Sequence, residues 1–221
     1  MSLKNEHKNE GLMDLMELAE IEPEGNLQLP TPSLLQYFLD RKERAVWIDK
    51  DIDDDLFNEI RLIIQYNRED AKNKIPAEKR KPIRLYLNSY GGTLDTCFAL
   101  LDVMKMSTTP IYTYNFNACM SAAALIFVNG HKRFAMPKST LLFHAGAGGV
   151  SGTYSQVVEQ TENYKRLMSM LHENILEHTS ISKAYLTKQL KKEWYLGIKE
   201  QQQYHCVDYV LEDMSQLIGE Y

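Results

Sequence analysis

From Arg44 onward, short apolar runs alternate with stretches in which apolar residues recur every three or four positions, a pattern of strand followed by helix. Ala45-Val46-Trp47-Ile48 predicts a strand, and Asp53-Asp54-Asp55 an acidic helix start that Leu56, Ile60 and Ile64 continue at helical spacing. The charged segment from Asn67 to Pro82 reads as an exposed loop. Ile83–Leu87 predicts a second strand, Asn88–Gly92 a turn, and Leu94, Phe98, Leu101 and Met104 the stripe of a helix ending before Pro110. Ile111–Tyr114 predicts a further strand, and Ser121-Ala122-Ala123-Ala124 opens a buried helix that reaches about Val128 and closes at Asn129-Gly130.

Two short strands are expected at Lys132–Ala135 and Thr140–Phe143, followed by a glycine-rich stretch from Ala145 to Gly152. The longest helix is predicted over about 155–178, where Val157, Thr161, Tyr164, Met168, Leu171 and Ile175 form one stripe. A helix near 183–191 and a last strand near 207–211 complete the chain. Residues 1 to about 40 follow no such pattern. Leu12, Leu15, Met16 and Ala19 fit a short amphipathic turn, but Glu22-Pro23-Glu24-Gly25 and Leu29-Pro30-Thr31-Pro32 interrupt regular structure. The expectation is a mobile or partner-ordered arm over residues 1–40 and one α/β domain over 41–221.

Composition narrows the function classes. With 221 residues, 44% of them apolar, the chain can fill one sizeable core, which excludes disordered and collagen-like classes. A net charge of −5 argues against nucleic-acid binding by bulk charge. The longest mainly apolar stretch, Ala118–Val128, is short of the ~20 residues that cross a bilayer, so no membrane association is expected. Cys97, Cys119 and Cys206 are odd in number and widely spaced, making neither a disulfide frame nor a metal cluster. The start Met-Ser-Leu-Lys-Asn-Glu-His-Lys has no apolar run of a secretion signal, so a cytoplasmic location is expected. His7, His131, His172, His178 and His205 show no ligand-like spacing, and no catalytic metal is expected.

Three local features carry candidate chemistry. Gly91-Gly92 after a strand is either an ordinary strand-to-helix turn or a place where backbone N–H groups face a ligand. Ser121, between a strand and an Ala-lined helix, is either a cap or a nucleophile beside helix-terminal amides. His144, at the end of an apolar strand, is either a satisfied core residue or a general base for a Ser hydroxyl. Cys119 competes as nucleophile, although a thiol in so apolar a run is more often an inert packer. The glycine stretch 146–152 lacks the Lys of a P-loop, leaving a flexible loop or an extended edge that pairs with a substrate strand.

Taken in order, these segments resemble the proteolytic-subunit family of the ATP-dependent Clp protease, ClpP, over about residues 40 to 215. Leu87-Asn88-Ser89-Tyr90-Gly91-Gly92 resembles the family's Asn-Ser-Pro-Gly-Gly, and Ser121 follows Gly92 by 29 positions, the family's spacing to its nucleophile. Leu142-Phe143-His144 before Gly148-Gly149 matches the segment of the family's catalytic His. His178-Thr179, Tyr195-Leu196, Glu200, Tyr204 and Val207-Asp208 match its carboxyl-terminal part.

The resemblance implies a fold of ClpP/crotonase-like repeated strand–helix units with a protruding helix–strand handle at about 145–180. It implies Ser121 as nucleophile, His144 as base, and Glu193 as triad acid, 49 positions after the His, where the family usually has Asp. It also implies oxyanion amides at Gly92 and Ala122, and an extended substrate aligned along Gly146, Gly148, Gly149 and Val150. Tyr86 and Phe134 fall where a partner docks. Two stacked heptameric rings, an AAA+ unfoldase of the ClpX, ClpA or ClpC type, and unfolded polypeptide substrates follow from the same likeness. No cofactor is implied within this chain, since the partner uses the ATP.

Departures from the family pattern are Glu193, Asn117 for Gly, Tyr90 for Pro, Arg84 for an aromatic residue, and Ala122-Ala123 for Met-Gly. Of these, Glu193, Asn117, Tyr90 and Arg84 leave a weakened structural or regulatory subunit as an alternative. A crotonase-type acyl-CoA enzyme is a further alternative, though it needs catalytic Glu residues near the oxyanion amides instead of a Ser–His pair.

Overall fold

The computed structural model describes residues 20–21, 27–28, 30–146 and 148–218. The turn expected around Leu12 to Ala19 and the break at 22–25 lie outside the described residues. The chain divides into two compact units, residues 1–43 and 44–221. In the first, β1 (Glu20–Ile21) pairs antiparallel with β2 (Leu27–Gln28), and α1 spans Pro32–Glu43. The sequence reading took Pro30-Thr31-Pro32 as an interruption, yet it starts a helix. Pro32 stands at the first helical position, where a missing N–H costs nothing, and the Thr31 carbonyl accepts from the Leu35 amide at 2.9 Å.

The second unit is a mixed α/β fold on a mostly parallel sheet. Its strands are β3 (Ala45–Ile48), β4 (Ile83–Ser89), β5 (Ile111–Met120), β6 (Lys132–Ala135), β7 (Thr140–Phe143), β8 (Trp194–Leu196) and β9 (Tyr209–Val210). The parallel order is β3-β4-β5-β6-β9; β7 pairs with the far end of β5, and β8 runs antiparallel to β7. β4 is buried along its length except at Asn88, as a central parallel strand covered on both faces must be. α2 (Phe57–Lys72), α3 (Leu94–Met106) and the wholly buried α4 (Ala122–Val128) share one hydrophobic core with this sheet. The remaining helices are α5 (Tyr154–His178), α6 (Lys183–Gln189), α7 (Ile198–Gln203) and α8 (Met214–Ile218).

Two differences from the expected elements have clear causes. β5 was expected to stop at Tyr114 but runs to Met120, because it changes partner midway. Tyr112–Asn115 pair with β6, and Ala118–Met120 pair with β7. Asn115, a residue that usually ends strands, is held by its Nδ2 donating to the Thr140 carbonyl at 3.0 Å and its carbonyl accepting from Met136 at 2.9 Å. Similarly, α2 continues to Lys72 where a loop was expected from Asn67. Two of its polar residues there turn to the protein: Asn67 Nδ2 donates to Ser107 Oγ at 2.8 Å, and Asp70 is buried.

Asp70 anchors a charged cluster. Its carboxylate accepts from Arg44 Nη1 at 2.8 Å and Nη2 at 2.5 Å, a bidentate pair, and from Thr109 Oγ1 at 2.7 Å. The Arg44 hydrogen bonds hold the carboxyl below the usual carboxylate range, against the opposing effect of burial. A lowered folded-state pKa stabilises the protein above the unfolded pKa and loses that contribution as pH falls through the folded one. Asp70→Asn is therefore expected to cost about 2–3 kcal/mol at pH 7. In denaturant titrations the gap to wild type should hold down to about pH 5 and close below about pH 4. A gap independent of pH would show that packing alone is lost.

Candidate active site

The site assembles where β4, β5 and β7 end. At the end of β4, Ser89 Oγ accepts from the Gly91 amide at 3.2 Å, and Gly91 and Gly92 take φ of +106° and +150°, values open only to glycine. The Gly91 carbonyl accepts from Ile52 N at 2.8 Å, and the Ile52 carbonyl accepts from Thr93 N at 2.7 Å. This parallel bridge spans Gly92, whose own N–H therefore points to the opposite side, and the Gly92 amide donates no hydrogen bond among the described residues. A Cβ on Gly92 would overlap the Ile52 carbonyl oxygen. A Cβ on Gly91 would lie 2.7 Å from Met120 O and from Ser121 Cβ, and 3.2 Å from Ala122 N.

Ser121 joins β5 to α4 with φ 54° and ψ −123°, a conformation unfavourable for a residue with a Cβ. The neighbours over-determine it: Ser121 N donates to the Leu142 carbonyl at 2.9 Å, and Ser121 O accepts from Ala124 N at 3.0 Å. The Ala122 amide, first in α4, donates no hydrogen bond among the described residues. Because Met120 pairs with Leu142, residue 144 is carried past the end of β7 to the serine, and His144 Nε2 lies 2.7 Å from Ser121 Oγ. Two residues 23 positions apart in sequence thus meet at hydrogen-bond distance. Cys119 is fully buried, and burial pushes its thiol well above the ordinary range, away from the thiolate that nucleophilic attack needs.

The Glu193 carboxylate has a different recorded partner from the one the resemblance implies. Its Oε2 accepts from the Tyr195 hydroxyl at 2.8 Å, and no hydrogen bond joins it to the imidazole. The physical reason is local: Glu193, just before β8, and Tyr195 are both exposed while Trp194 and Leu196 turn inward, so the phenol two residues on is within easy reach. Residues 144–146 and 148–153 form no helix or strand. Gly146 has φ +76°, Gly148 and Gly149 are exposed, Val150 is 45% exposed, and position 147 lies outside the described residues. Tyr164 Oη donates to the Ala145 carbonyl at 2.9 Å, tying α5 to this segment. At the other departures, Asn117 Nδ2 donates to Asn88 Oδ1 at 3.3 Å and Tyr90 is 70% exposed beside the glycine pair.

Tyr86 and Phe134 belong to one aromatic stack but are nearly buried. Ring centroids run Trp47–Tyr86 4.4 Å, Tyr86–Tyr114 4.8 Å, Tyr114–Phe134 4.7 Å and Phe134–Tyr209 5.0 Å. The accessible area comes from the outer members, Trp47 and Tyr209, which sequence reasoning did not select. Their place in period-2 strands beside aromatic neighbours was the available signal. Among the described residues no helix is long and apolar enough to cross a membrane, and no group of three or more His, Cys, Asp or Glu is placed to hold a metal ion.

The Clp protease family model matches residues 36–214. The ATP-dependent Clp protease proteolytic subunit 1 of Rhodopirellula baltica is 33% identical over 135 residues, 60% of this chain and 60% of that protein. Proteolytic subunit 2 of Corynebacterium diphtheriae is 29% identical over 174 residues, covering 77% of this chain and 83% of its own length. That of Corynebacterium efficiens is 27% identical over 173 residues, with the same two shares. With a family match that spans the whole sheet and the Ser–His pair at its edge, the chain belongs to the Clp protease family, as a protease of the ClpP type.

Proposed function

We propose that this chain is a serine endopeptidase subunit that cleaves unfolded polypeptide through an acyl-enzyme. The observation that carries the reading is the 2.7 Å contact between His144 Nε2 and Ser121 Oγ. Ser121 Oγ attacks the peptide carbonyl carbon as His144 Nε2 takes its proton. The tetrahedral oxyanion is held by the free amides of Gly92 and Ala122. His144 then protonates the leaving amine, and water, deprotonated by the same imidazole, hydrolyses the ester and regenerates Ser121. Residues 146–150 present backbone to an extended peptide, and main-chain pairing is indifferent to side-chain identity, so selectivity is low. Such a site has to be enclosed. The reading therefore includes cytoplasmic assembly of copies into two stacked heptameric rings joined through α5, whose first half is largely exposed. An AAA+ unfoldase of the ClpX, ClpA or ClpC type docks at the aromatic stack ending in Trp47 and Tyr209.

A second reading has its own observation, the Glu193 carboxylate lying on Tyr195 instead of His144. In it the chain is a weakened subunit that turns over only beside an active paralogue. Hydrolysis of a short fluorogenic peptide by the purified chain separates the two. The endopeptidase reading expects turnover without any partner, blocked by a fluorophosphonate. Turnover that appears only on mixing with an active Clp subunit would overturn it in favour of the second.

A further inference from the structure

We propose that Tyr195 is a positioning residue that latches the triad acid off: its hydroxyl and the His144 imidazole compete for the Glu193 carboxylate, and releasing the phenol completes the triad. The proposal rests on the serine-peptidase reading above. Its ground is strand register. β7 and β8 pair antiparallel as Leu141↔Leu196, Leu142↔Tyr195 and Phe143↔Trp194. His144 and Glu193 each stand one residue beyond the paired strands, and continuing the register by one step would set them opposite each other.

Directly opposed residues of an antiparallel pair point to the same face, with Cβ atoms about 5 Å apart. Residues two apart on one strand share that face as well. On that continued register Glu193 has two candidate hydrogen-bond donors, the imidazole facing it and the phenol two residues on. The structure records the second, Tyr195 Oη donating to Glu193 Oε2 at 2.8 Å. That bond pushes the phenol above its ordinary range, so it stays protonated and remains a donor at neutral pH. Both side chains are exposed, which leaves them free to exchange partners without disturbing the core.

The extra methylene of Glu has a consequence here. A carboxylate on a longer, more flexible stem can satisfy either donor, so occupancy is set by competition. While the carboxylate stays on Tyr195, the imidazolium formed during attack lacks its counter-ion, and Ser–His chemistry runs below its full rate. A single charge-assisted hydrogen bond shifts such a balance by about tenfold.

The test uses the full chain and a fluorogenic peptide. Tyr195→Phe is expected to raise kcat about tenfold with KM little changed, because only the transition state gains. Adding Glu193→Gln to Tyr195→Phe should abolish the gain and bring the rate to that of Glu193→Gln alone. An unchanged or lower kcat in Tyr195→Phe, or a gain that survives without the Glu193 carboxylate, overturns the latch. A structure of the fluorophosphonate-modified wild-type chain gives a check that does not depend on variant folding. It should show Glu193 on His144 Nδ1 and off Tyr195, and Glu193 still on Tyr195 overturns the latch. Fluorophosphonate labelling of wild type keeps the two failures apart. Labelled wild type with an inert Tyr195→Phe sinks the latch alone, whereas no labelling or hydrolysis in either protein sinks the peptidase reading and the latch with it.

Discussion

Ser121→Ala is expected to lower peptide hydrolysis by about 10⁶-fold while leaving the protein folded. The attacking atom is removed, and neither Cys119 nor Cys97 can replace it, since both thiols are buried and pushed far from ionisation. The fold should be indifferent. Alanine keeps the Cβ that Gly91 already accommodates, and the Ser121 backbone bonds to Leu142 and Ala124 do not involve the hydroxyl. The lost contact with His144 is half-buried, so the stability change should stay within about 1 kcal/mol. Residual activity would reflect the oxyanion amides and binding alone. A variant that retained more than about one part in 10³ of the wild-type rate would place the chemistry on another residue.

Gly91→Ala should be nearly as damaging, through geometry and not through chemistry. Position 91 has φ +106°, and the new methyl would stand 2.7 Å from both Met120 O and Ser121 Cβ. Neither neighbour is a flexible side-chain end. Met120 is fixed by its pairing with Leu142, and Ser121 is held in its strained conformation by bonds on both sides. The clash must therefore push the turn away from the serine, moving the Gly92 amide relative to the Ala122 amide. A displacement of about 1 Å in such a site costs about 10²-fold, and loss of one oxyanion donor about 10²–10³-fold. The expected result is a fall of about 10³-fold in kcat. Backbone strain should add about 1–3 kcal/mol of lost stability. Peptide kinetics and thermal melts check both, and near-normal kcat would show that the glycine pair serves only as a turn.

The sheet was legible because its strands are bounded by strong punctuation: Gly91-Gly92, Pro110 and Asn129-Gly130 each end an element. The Ser–His pairing could be suspected only from spacing and family likeness, since nothing local in either segment records that β7 lies beside β5. What stayed hidden was set by tertiary partners. Asn115 and Asn67 behave as breakers in isolation, but each side-chain amide finds a tertiary acceptor, the Thr140 carbonyl and Ser107 Oγ, that keeps its element running. Pro32 shows the converse, a residue taken as an interruption that begins a helix. The position of Glu193 in the chain was readable, whereas the partner of its carboxylate was not, because the phenol two residues on takes it and spacing alone does not record that. Likewise Tyr86 and Phe134 were picked out ahead of Trp47 and Tyr209, since strand alternation does not say which end of an aromatic stack meets solvent.

The most direct measurement is the rate and position of fluorophosphonate modification, read by peptide mapping of the intact wild-type chain and of His144→Ala. A hydroxyl activated by the imidazole 2.7 Å away predicts a single adduct on Ser121 in wild type and strongly slowed formation in His144→Ala. An adduct on a different residue, or modification of Ser121 at the same rate without the imidazole, would contradict it.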